Sequence, residues 1–596
     1  RYLLSLSTEL ALTPENLVRD FGENTTVSRT VVRILYETLG NTKNPKVDTL
    51  FKQWERQFSE VTGWEEQSSK LKLPQLARKF GIDERNPDPL RFFFAMHTYY
   101  ATFIKLLAVQ ISYYYLMPKV GSGLQQVANA NSGDLHNYLQ KMERGGIFKD
   151  FGINNFLEGD FFGWYLEVWS EEIFESIRRI VGDLSNYSLV TLDVDPEETR
   201  DLLKNLYEDL IPEKIRHGLG EYYTPDWLAT RLINQLGYDG DPNVRVLDPA
   251  CGSGTFLVLI LRRIRQHAKD KMLPESSVLE KILSNVVGFD LNPLAVISAR
   301  TNYLLALGDL LQHRQGDITI PVYLADSILT PHMPSMNSNG QLTFITDENE
   351  EIQQPGFTFD TVVGRFDIPP VLVDANYIDQ LADLLEQSIY SKLTKKQFLD
   401  RLFKTFPLTE DDETEINITL KLFEQLNELD NQNINGIWAR IIKNAFAPLF
   451  VEKFDLVVGN PPWVNWESLP EDYRQNTKSL WEYYGLFPHG GMDTILGKGK
   501  KDISMLMTYV AMEEYLQEGG KLGFVITQSV LKTSGAGEGF RRFKLGDGTP
   551  ISVIHVDDMS MMKPFEGASN RTAVMILEKG KPTKYPVPYT IWRKTA

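Results

Sequence analysis

Residues 454–463 read Phe-Asp-Leu-Val-Val-Gly-Asn-Pro-Pro-Trp, and they combine the groups that chemistry on an amine would need. An apolar run of strand type delivers Gly459 and then Asn460, Pro461, Pro462 and Trp463. Consecutive prolines fix φ near about −65° and remove two backbone donors, so the turn is stiff. The Asn460 side-chain carbonyl and the Pro461 carbonyl are acceptors, and Trp463 adds a broad π-face on the same rim. Two acceptors beside an aromatic platform suit a planar ring bearing an NH₂. The acceptors take its hydrogens and orient the nitrogen lone pair for attack on an electrophilic carbon. On its own, the same tetrapeptide is equally an ordinary strand ending in a diproline turn.

Upstream context favours the chemical reading. Val244-Arg-Val-Leu-Asp-Pro-Ala-Cys-Gly-Ser-Gly-Thr-Phe256 predicts a short strand ending at Asp248. Gly252 and Gly254 would then let the backbone pass close to a ligand, and an apolar helix over 256–264 turns its N-terminus toward the loop. The spacing matches neither G-x-G-x-x-G nor a P-loop. Val286-Val-Gly-Phe-Asp-Leu-Asn-Pro293 predicts a second strand ending in an acid, Asp290. Val322-Tyr-Leu-Ala-Asp326 predicts a third, ending in Asp326. Three strands with carboxylates at their carboxyl ends, separated by helical sequence, place three acids along the edge where open parallel sheets bind ligands. Asp290 stands where such a sheet puts a carboxylate on ribose hydroxyls.

Together with Gly220-Glu-Tyr-Tyr-Thr-Pro225, these ordered blocks resemble the gamma-group S-adenosylmethionine-dependent DNA adenine-N6 methyltransferases. The size of the helical N-terminus and of the insertion resembles methyltransferase subunits of restriction-modification or phage-defence systems, including the fused restriction–modification and phage-exclusion types. Gly519-Gly-Lys-Leu-Gly-Phe-Val-Ile-Thr527 resembles the family's fifth strand, and the stretch from Phe565 to Lys579 resembles its closing strands. The likeness covers roughly residues 215–330 and 450–580. It implies an α/β fold: a Rossmann-like methyltransferase sheet with a large helical N-terminal domain and a mainly helical insertion. The expected division is 1–212 helical domain, 213–330 cofactor half, 331–450 insertion and 451–596 catalytic half.

The resemblance also implies roles. Tyr223, Thr224 and Pro225 would border the methionine end of S-adenosylmethionine. Asp248, Gly252 and Gly254 would hold its amino-acid portion, with Phe256 packed nearby. Asp290 would take the ribose hydroxyls, and Asp326 would accept from the cofactor's adenine amine. Asn460 and Pro461, in the turn stiffened by Pro462, would hold the target amine while Trp463 stacks on the target base. Phe540 is a candidate for the opposite stacking face, or equally an ordinary core aromatic. Locally, Thr224 reads as the cap and Pro225 as the first residue of a helix running to Leu236. An adenine in duplex DNA would have to be flipped out of the stack, at a cost of a few kcal/mol.

Other features bear on partners and compartment. Phe359-Asp-Thr-Val-Val-Gly-Arg-Phe-Asp-Ile-Pro-Pro370 mimics the catalytic block. It has Arg365 where Asn is needed, and its prolines come late, so it reads as a structural strand of the insertion. Cys251 is the only cysteine and lies in the glycine loop, where a small buried residue is expected rather than a nucleophile. A single thiol fits a reducing cytoplasm, and the eight histidines show no metal spacing, so no metal is expected. The net charge of −17 requires any DNA cleft to be locally basic. Lys498, Lys500, Lys501, Lys532, Arg541, Arg542 and Lys544 gather near the proposed site, or are simply a solvated face.

The chain opens at Arg1 rather than Met, which is compatible with a piece of a longer protein. Residues 91–117 are long and apolar enough to resemble a membrane span, but His97, Lys105 and Gln110 interrupt them, so a buried helix and no membrane are expected. A charged helix over 196–210, capped by Asp195, would lead into the core. The insertion should begin polar, turn helical from Asn376, and cover or widen a DNA cleft. No nuclease motif is evident, and Gly491 to Lys500 lacks the spacing of a nucleotide-hydrolase loop. Double-stranded DNA and specificity or defence-system subunits are the expected partners. Two rivals stay open: methylation of RNA adenine or protein glutamine, and a non-catalytic DNA-binding scaffold.

Overall fold

The computed structural model describes residues 10–62, 73–117, 123–157, 161–190, 223–330, 335–336, 342–343, 357–373, 377–409, 411–434, 437–487, 501–532, 537–565 and 570–594. The expected helix over 196–210 with Asp195, the block Gly220 to Tyr222, and the stretch Gly491 to Lys500 with Lys498 lie outside these residues.

Short apolar runs ending in Asp or Gly form the middle of an eight-stranded sheet. Numbered within that sheet, its strands are β1 (Val246–Asp248), β2 (Val286–Asp290), β3 (Val322–Leu324), β4 (Phe454–Gly459), β5 (Leu516–Thr527), β6 (Ile551–Met561), β7 (Thr572–Lys579) and β8 (Tyr589–Arg593). The spatial order is β3-β2-β1-β4-β5-β7-β6-β8. β7 runs antiparallel to both its neighbours, and every other pairing is parallel. The central strands are buried along their length, which is why they read as apolar runs rather than alternating patterns. Val246 on β1 is in register with Val286 of β2 on one side and Leu456 of β4 on the other. The chain therefore leaves β1 toward β2 and β3, and later returns on its opposite side as β4 and β5. The crevice between the carboxyl ends of β1 and β4 is the position where such sheets bind ligands. Sheet and flanking helices form a doubly wound α/β core.

Helices brace this crevice. Helix α1 (Pro89–Leu116) has Pro at its start and the Asp88 side chain accepting from Arg91 N at 3.2 Å. It is apolar on every side and accordingly buried, with Lys105 Nζ donating to Glu143 Oε2 at 2.7 Å inside the helical N-terminal region. Helix α2 (Asp226–Gln235) is fastened to β6 by Arg231 Nε donating to Asp557 Oδ2 at 2.7 Å. Helix α3 (Thr255–Lys271) follows β1, and α4 (Pro293–Leu307) follows β2. α4 packs against α1, and Arg300 on α4 donates to Val322 O at 2.8 Å and Phe156 O at 3.1 Å. Arg300 thus joins the loop at Phe156 in the N-terminal region to the edge strand β3.

Two local expectations are corrected. α2 begins at Asp226 with Pro225 as its cap position and no side-chain cap. Thr224 is instead buried in the cavity wall described below. α3 continues to Lys271, well past 264, because its later arginines and lysines sit on an amphipathic outer face; it stops at Met272 in the left-handed region, φ 52°. A second helix, Pro293–His313, joins Pro89–Leu116 in having the length and composition of a membrane span, and the apolar windows of the two are 94% and 100% buried inside the protein.

Between β3 and β4, the described part of the insertion holds a two-residue strand pair (Ser335–Met336 with Leu342–Thr343), a hairpin (Phe357–Thr361 with Gly364–Ile368) and four helices, Ile378–Tyr390, Lys395–Thr405, Glu413–Asn431 and Trp438–Phe450. The hairpin turn touches the N-terminal helices, where Val362 N donates to Gln53 Oε1 at 3.0 Å.

Candidate functional site

β1, β2, β3 and β4 all end at one cavity, and the residues at or just after their ends make its walls. Asp248 ends β1 and is buried. It accepts from Ala250 N at 3.2 Å, and burial, with Asp290 nearby, pushes its carboxyl well above the usual range. The loop that follows turns through Gly254 at φ 90°, which starts α3 and lies against Ala299. Asp290 ends β2 and grips this loop: its Oδ2 accepts from Gly252 N and its Oδ1 from Asn292 N, both at 2.8 Å. Burial raises its pKa as well, against the lowering effect of those two amides. Asp326 follows β3. Its Oδ1 accepts from Ile328 N at 2.7 Å and Leu329 N at 3.0 Å, and its Oδ2 accepts from the Tyr473 hydroxyl at 3.0 Å.

The opposite wall is Asn460, Pro461, Pro462 and Trp463 at the end of β4. Gly459 makes the close approach of the two walls possible: a Cβ there would lie 2.8 Å from Asp248 Oδ1 and 3.5 Å from the Phe524 ring. After the turn the chain is pinned to a second segment. Trp466 N donates to Lys501 O at 2.7 Å and Ile503 N to Val464 O at 2.9 Å. Asp502 caps the helix Ile503–Val510, accepting from Ser504 N at 2.9 Å, and burial raises its pKa to about 6. Ile503 and Met507 from that helix reach the cavity.

The expected residues are brought together unevenly. Tyr223, Thr224, Asp248, Gly252, Phe256, Asp290, Asp326 and residues 460–463 line the cavity. Pro225 and Gly254 stand behind the lining as the start positions of α2 and α3. Trp463 is not an open rim: it is only 8% exposed, its Nε1 donates to Val525 O at 3.3 Å, and its ring meets Phe565 edge-to-face at 5.0 Å. Phe540 is an ordinary core aromatic. It is buried between Tyr509 and Phe543, and its carbonyl accepts the Tyr509 hydroxyl at 2.6 Å. The aromatic beside Trp463 is Phe565, which stands at the head of the block quoted for the closing strands but drew no role there. Tyr473 was also missed, because a lone tyrosine on a polar helix carries no pattern that marks it. Cys251 is buried, its sulfur facing the position where a Cβ of Gly288 would be. Of the basic cluster, Lys532 pairs with Asp558 at 2.8 Å, Arg541 donates to Val530 O at 3.0 Å, and Lys501 is buried over the Phe487 ring at 4.3 Å. Lys501 is therefore an interior cation, whereas the Lys532 side chain stays 55% exposed beside its partner.

Chemically, one wall is a row of three carboxylates joined by a glycine-rich turn, suited to ammonium, hydroxyl and amine donors. The other is a neutral carboxamide on a rigid turn backed by aromatic rings. The buried Ser253 hydroxyl, on the loop between them, has no protein partner. These are features a nucleoside bearing an amino acid would satisfy.

The cavity-lining residues fall in stretches that match known proteins. Residues 284–561 match the Eco57I restriction-modification methylase family model, and residues 198–339 match the N-6 DNA methylase model. A putative type II restriction enzyme and methyltransferase of Methanocaldococcus jannaschii is 21% identical over 54% of this chain and 34% of its own length. The methylase subunit of a type I restriction enzyme from the same organism is 24% identical over 40% of this chain and 36% of its own. This chain thus matches about a third of the length of those two relatives. Among solved structures, the type ISP restriction-modification enzyme LlaGI, in complex with a DNA substrate mimic, aligns with 98% of this chain and 36% of its own at 13% identity and a TM-score of 0.41. Residues 198–561 are thus spanned by two family models, both of restriction-modification or N-6 DNA methylases.

Proposed function

We propose that this protein methylates the exocyclic N6 amine of adenine in duplex DNA, using S-adenosylmethionine, as part of a cytoplasmic restriction-modification or anti-phage system. The carrying observation is the single cavity with Asp248, Asp290 and Asp326 on one wall and Asn460 to Trp463 on the other. The donor set fits the cofactor: carboxylates for its ammonium, ribose hydroxyls and adenine amine, and a glycine turn for close passage of its amino-acid portion.

The chemistry supplied by bound S-adenosylmethionine is a methyl group on a sulfonium sulfur, an electrophile that needs no acid to activate it. The protein's work is then alignment and charge stabilisation. Asp290 takes the ribose hydroxyls, Asp326 accepts from the adenine amine, and Asp248 with the Gly252 loop holds the amino-acid end. Across the cavity, Asn460 and the Pro461 carbonyl accept the target amine's hydrogens, directing its lone pair inward and stabilising positive charge as it forms on nitrogen. A neutral carboxamide suits a weakly basic aromatic amine, whose proton afterwards leaves to solvent. Trp463, with Phe565 packed edge-to-face against it, is the aromatic surface for an extruded base; neither Phe540 nor Phe565 supplies an opposite stacking face. Stacking there would offset part of the flipping cost. Duplex DNA and a specificity or defence-system subunit are the proposed partners.

Transfer of a tritiated methyl group to duplex DNA, RNA and protein, followed by nucleoside analysis, tests the reading. Label in N6-methyldeoxyadenosine is expected. Label confined to RNA or to protein glutamine would replace the DNA reading, and no transfer at all would favour a non-catalytic scaffold.

A further inference from the structure

We propose that Tyr473 is a positioning residue for the cofactor's adenine, one that also ties the adenine pocket to the catalytic turn. The inference rests on the reading of Asp326 as the acceptor for the adenine amine. Tyr473 is buried and lines the cavity, and its hydroxyl donates to Asp326 Oδ2 at 3.0 Å. The other carboxylate oxygen is held by two backbone amides, Ile328 N and Leu329 N. Held from both ends, the carboxylate keeps one plane and stays an acceptor. A carboxylate oxygen has room for more than one donor, so the amine can share Oδ2 with Tyr473. A purine with a 6-oxo group would instead set oxygen against oxygen.

The second consequence follows from chain order. Tyr473 lies in the first turn of the helix α5 (Glu471–Tyr483), which the chain enters directly from the Asn460–Trp463 turn through the short 3₁₀ segment Trp466–Ser468. One hydrogen bond therefore bridges the segment after β3, which reads the cofactor, and the segment after β4, which holds the acceptor. Filling the adenine pocket should steady the catalytic turn.

Calorimetric binding of S-adenosylhomocysteine and of its 6-oxo analogue, S-inosylhomocysteine, tests this with the wild type, Tyr473→Phe, Asp326→Asn and the double variant. Tyr473→Phe should bind S-adenosylhomocysteine about tenfold more weakly, the size expected for a hydrogen bond to a charged group. Its preference for the 6-amino purine should shrink, and the double variant should lose less than the two single losses combined. Tyr473→Met, which keeps the buried bulk without the hydroxyl, should match Tyr473→Phe if the hydroxyl rather than the ring is responsible. Wild-type affinity in Tyr473→Phe, equal weakening toward both purines, or strictly additive losses would each overturn the proposal while leaving the methyltransferase reading intact. A wild type that binds neither compound would overturn both.

Discussion

Two segments of this chain share the lead-in Val-Val-Gly followed by a polar residue and, soon after, two prolines, yet they meet different fates. Val457-Val-Gly-Asn-Pro-Pro ends a strand buried between β1 and β5, beside Asp248. Val362-Val-Gly-Arg forms the turn of a two-stranded hairpin, with Gly364 at φ 126°, and none of the four lines the cavity. Carboxylates near the two segments differ in the same sense. Asp248 is buried and pushed toward its neutral form, whereas Asp367 in the hairpin is paired with Lys421 at 3.1 Å. A local pattern thus acquires chemistry only where the sheet sets a ligand-shaped void against it.

The sharpest test of that contrast is Asn460→Ala against Arg365→Ala. The first should lower kcat for DNA methylation by about 100-fold or more, the scale seen when one preorganised polar group is lost from a reacting centre. The second should leave kcat within about twofold. Steady-state methyl transfer measures both, and equal effects would erase the distinction.

The glycines give a smaller contrast. Gly459→Ala pushes a methyl to 2.8 Å from Asp248 Oδ1, so it should cost about 1–3 kcal/mol of stability and weaken cofactor binding about tenfold. Gly364→Ala meets no neighbour within 4 Å and should cost backbone strain alone, about 1–2 kcal/mol, with cofactor affinity unchanged. Thermal unfolding paired with calorimetry separates the two.

Next in size is the pH response of binding. Asp248 and Asp290 have carboxyls raised by burial, so they take up protons at higher pH than ordinary carboxylates. A cationic ligand favours their ionised forms. Affinity for S-adenosylmethionine should therefore fall as pH falls, starting above the ordinary carboxylate range of about 4. A flat profile between pH 4 and about 7 would contradict this.

Asp502 should show the smallest effect. Its folded pKa of about 6 lies above the unfolded value of about 3.9, so its contribution to stability is full below the unfolded value and lost as pH rises through about 6. Asp502→Asn keeps an acceptor for Ser504 N and should flatten that part of the stability profile, as read by denaturant midpoints across pH. An unchanged slope would remove Asp502 as its source.

Much of this site was legible in the sequence because its signals are local. β2 ends at Asp290 as expected, since an apolar run stopping at an acid marks a buried parallel strand. Asn460 needs only the strand before it and the prolines after it. What the sequence hid depends on distant contacts. Whether Phe540 or Phe565 stands beside Trp463 is decided by how the 529–565 segment returns across the sheet, and both aromatics look alike in sequence. The burial of Trp463 depends on Val525 and Phe565. Tyr473 gains meaning only because α5 lays it against Asp326. The length of α3 is hidden in the sequence because its charged outer face breaks the apolar run while the helix continues beneath it.

Calorimetric titration of S-adenosylmethionine into the wild type, Asp290→Ala and Asn460→Ala, with turnover measured on the same preparations, tests the division of the cavity into a cofactor wall and an acceptor wall most directly. Asp290→Ala should lose cofactor affinity, while Asn460→Ala should bind as the wild type does and fail to turn over. Cofactor binding lost in Asn460→Ala and kept in Asp290→Ala would contradict the account.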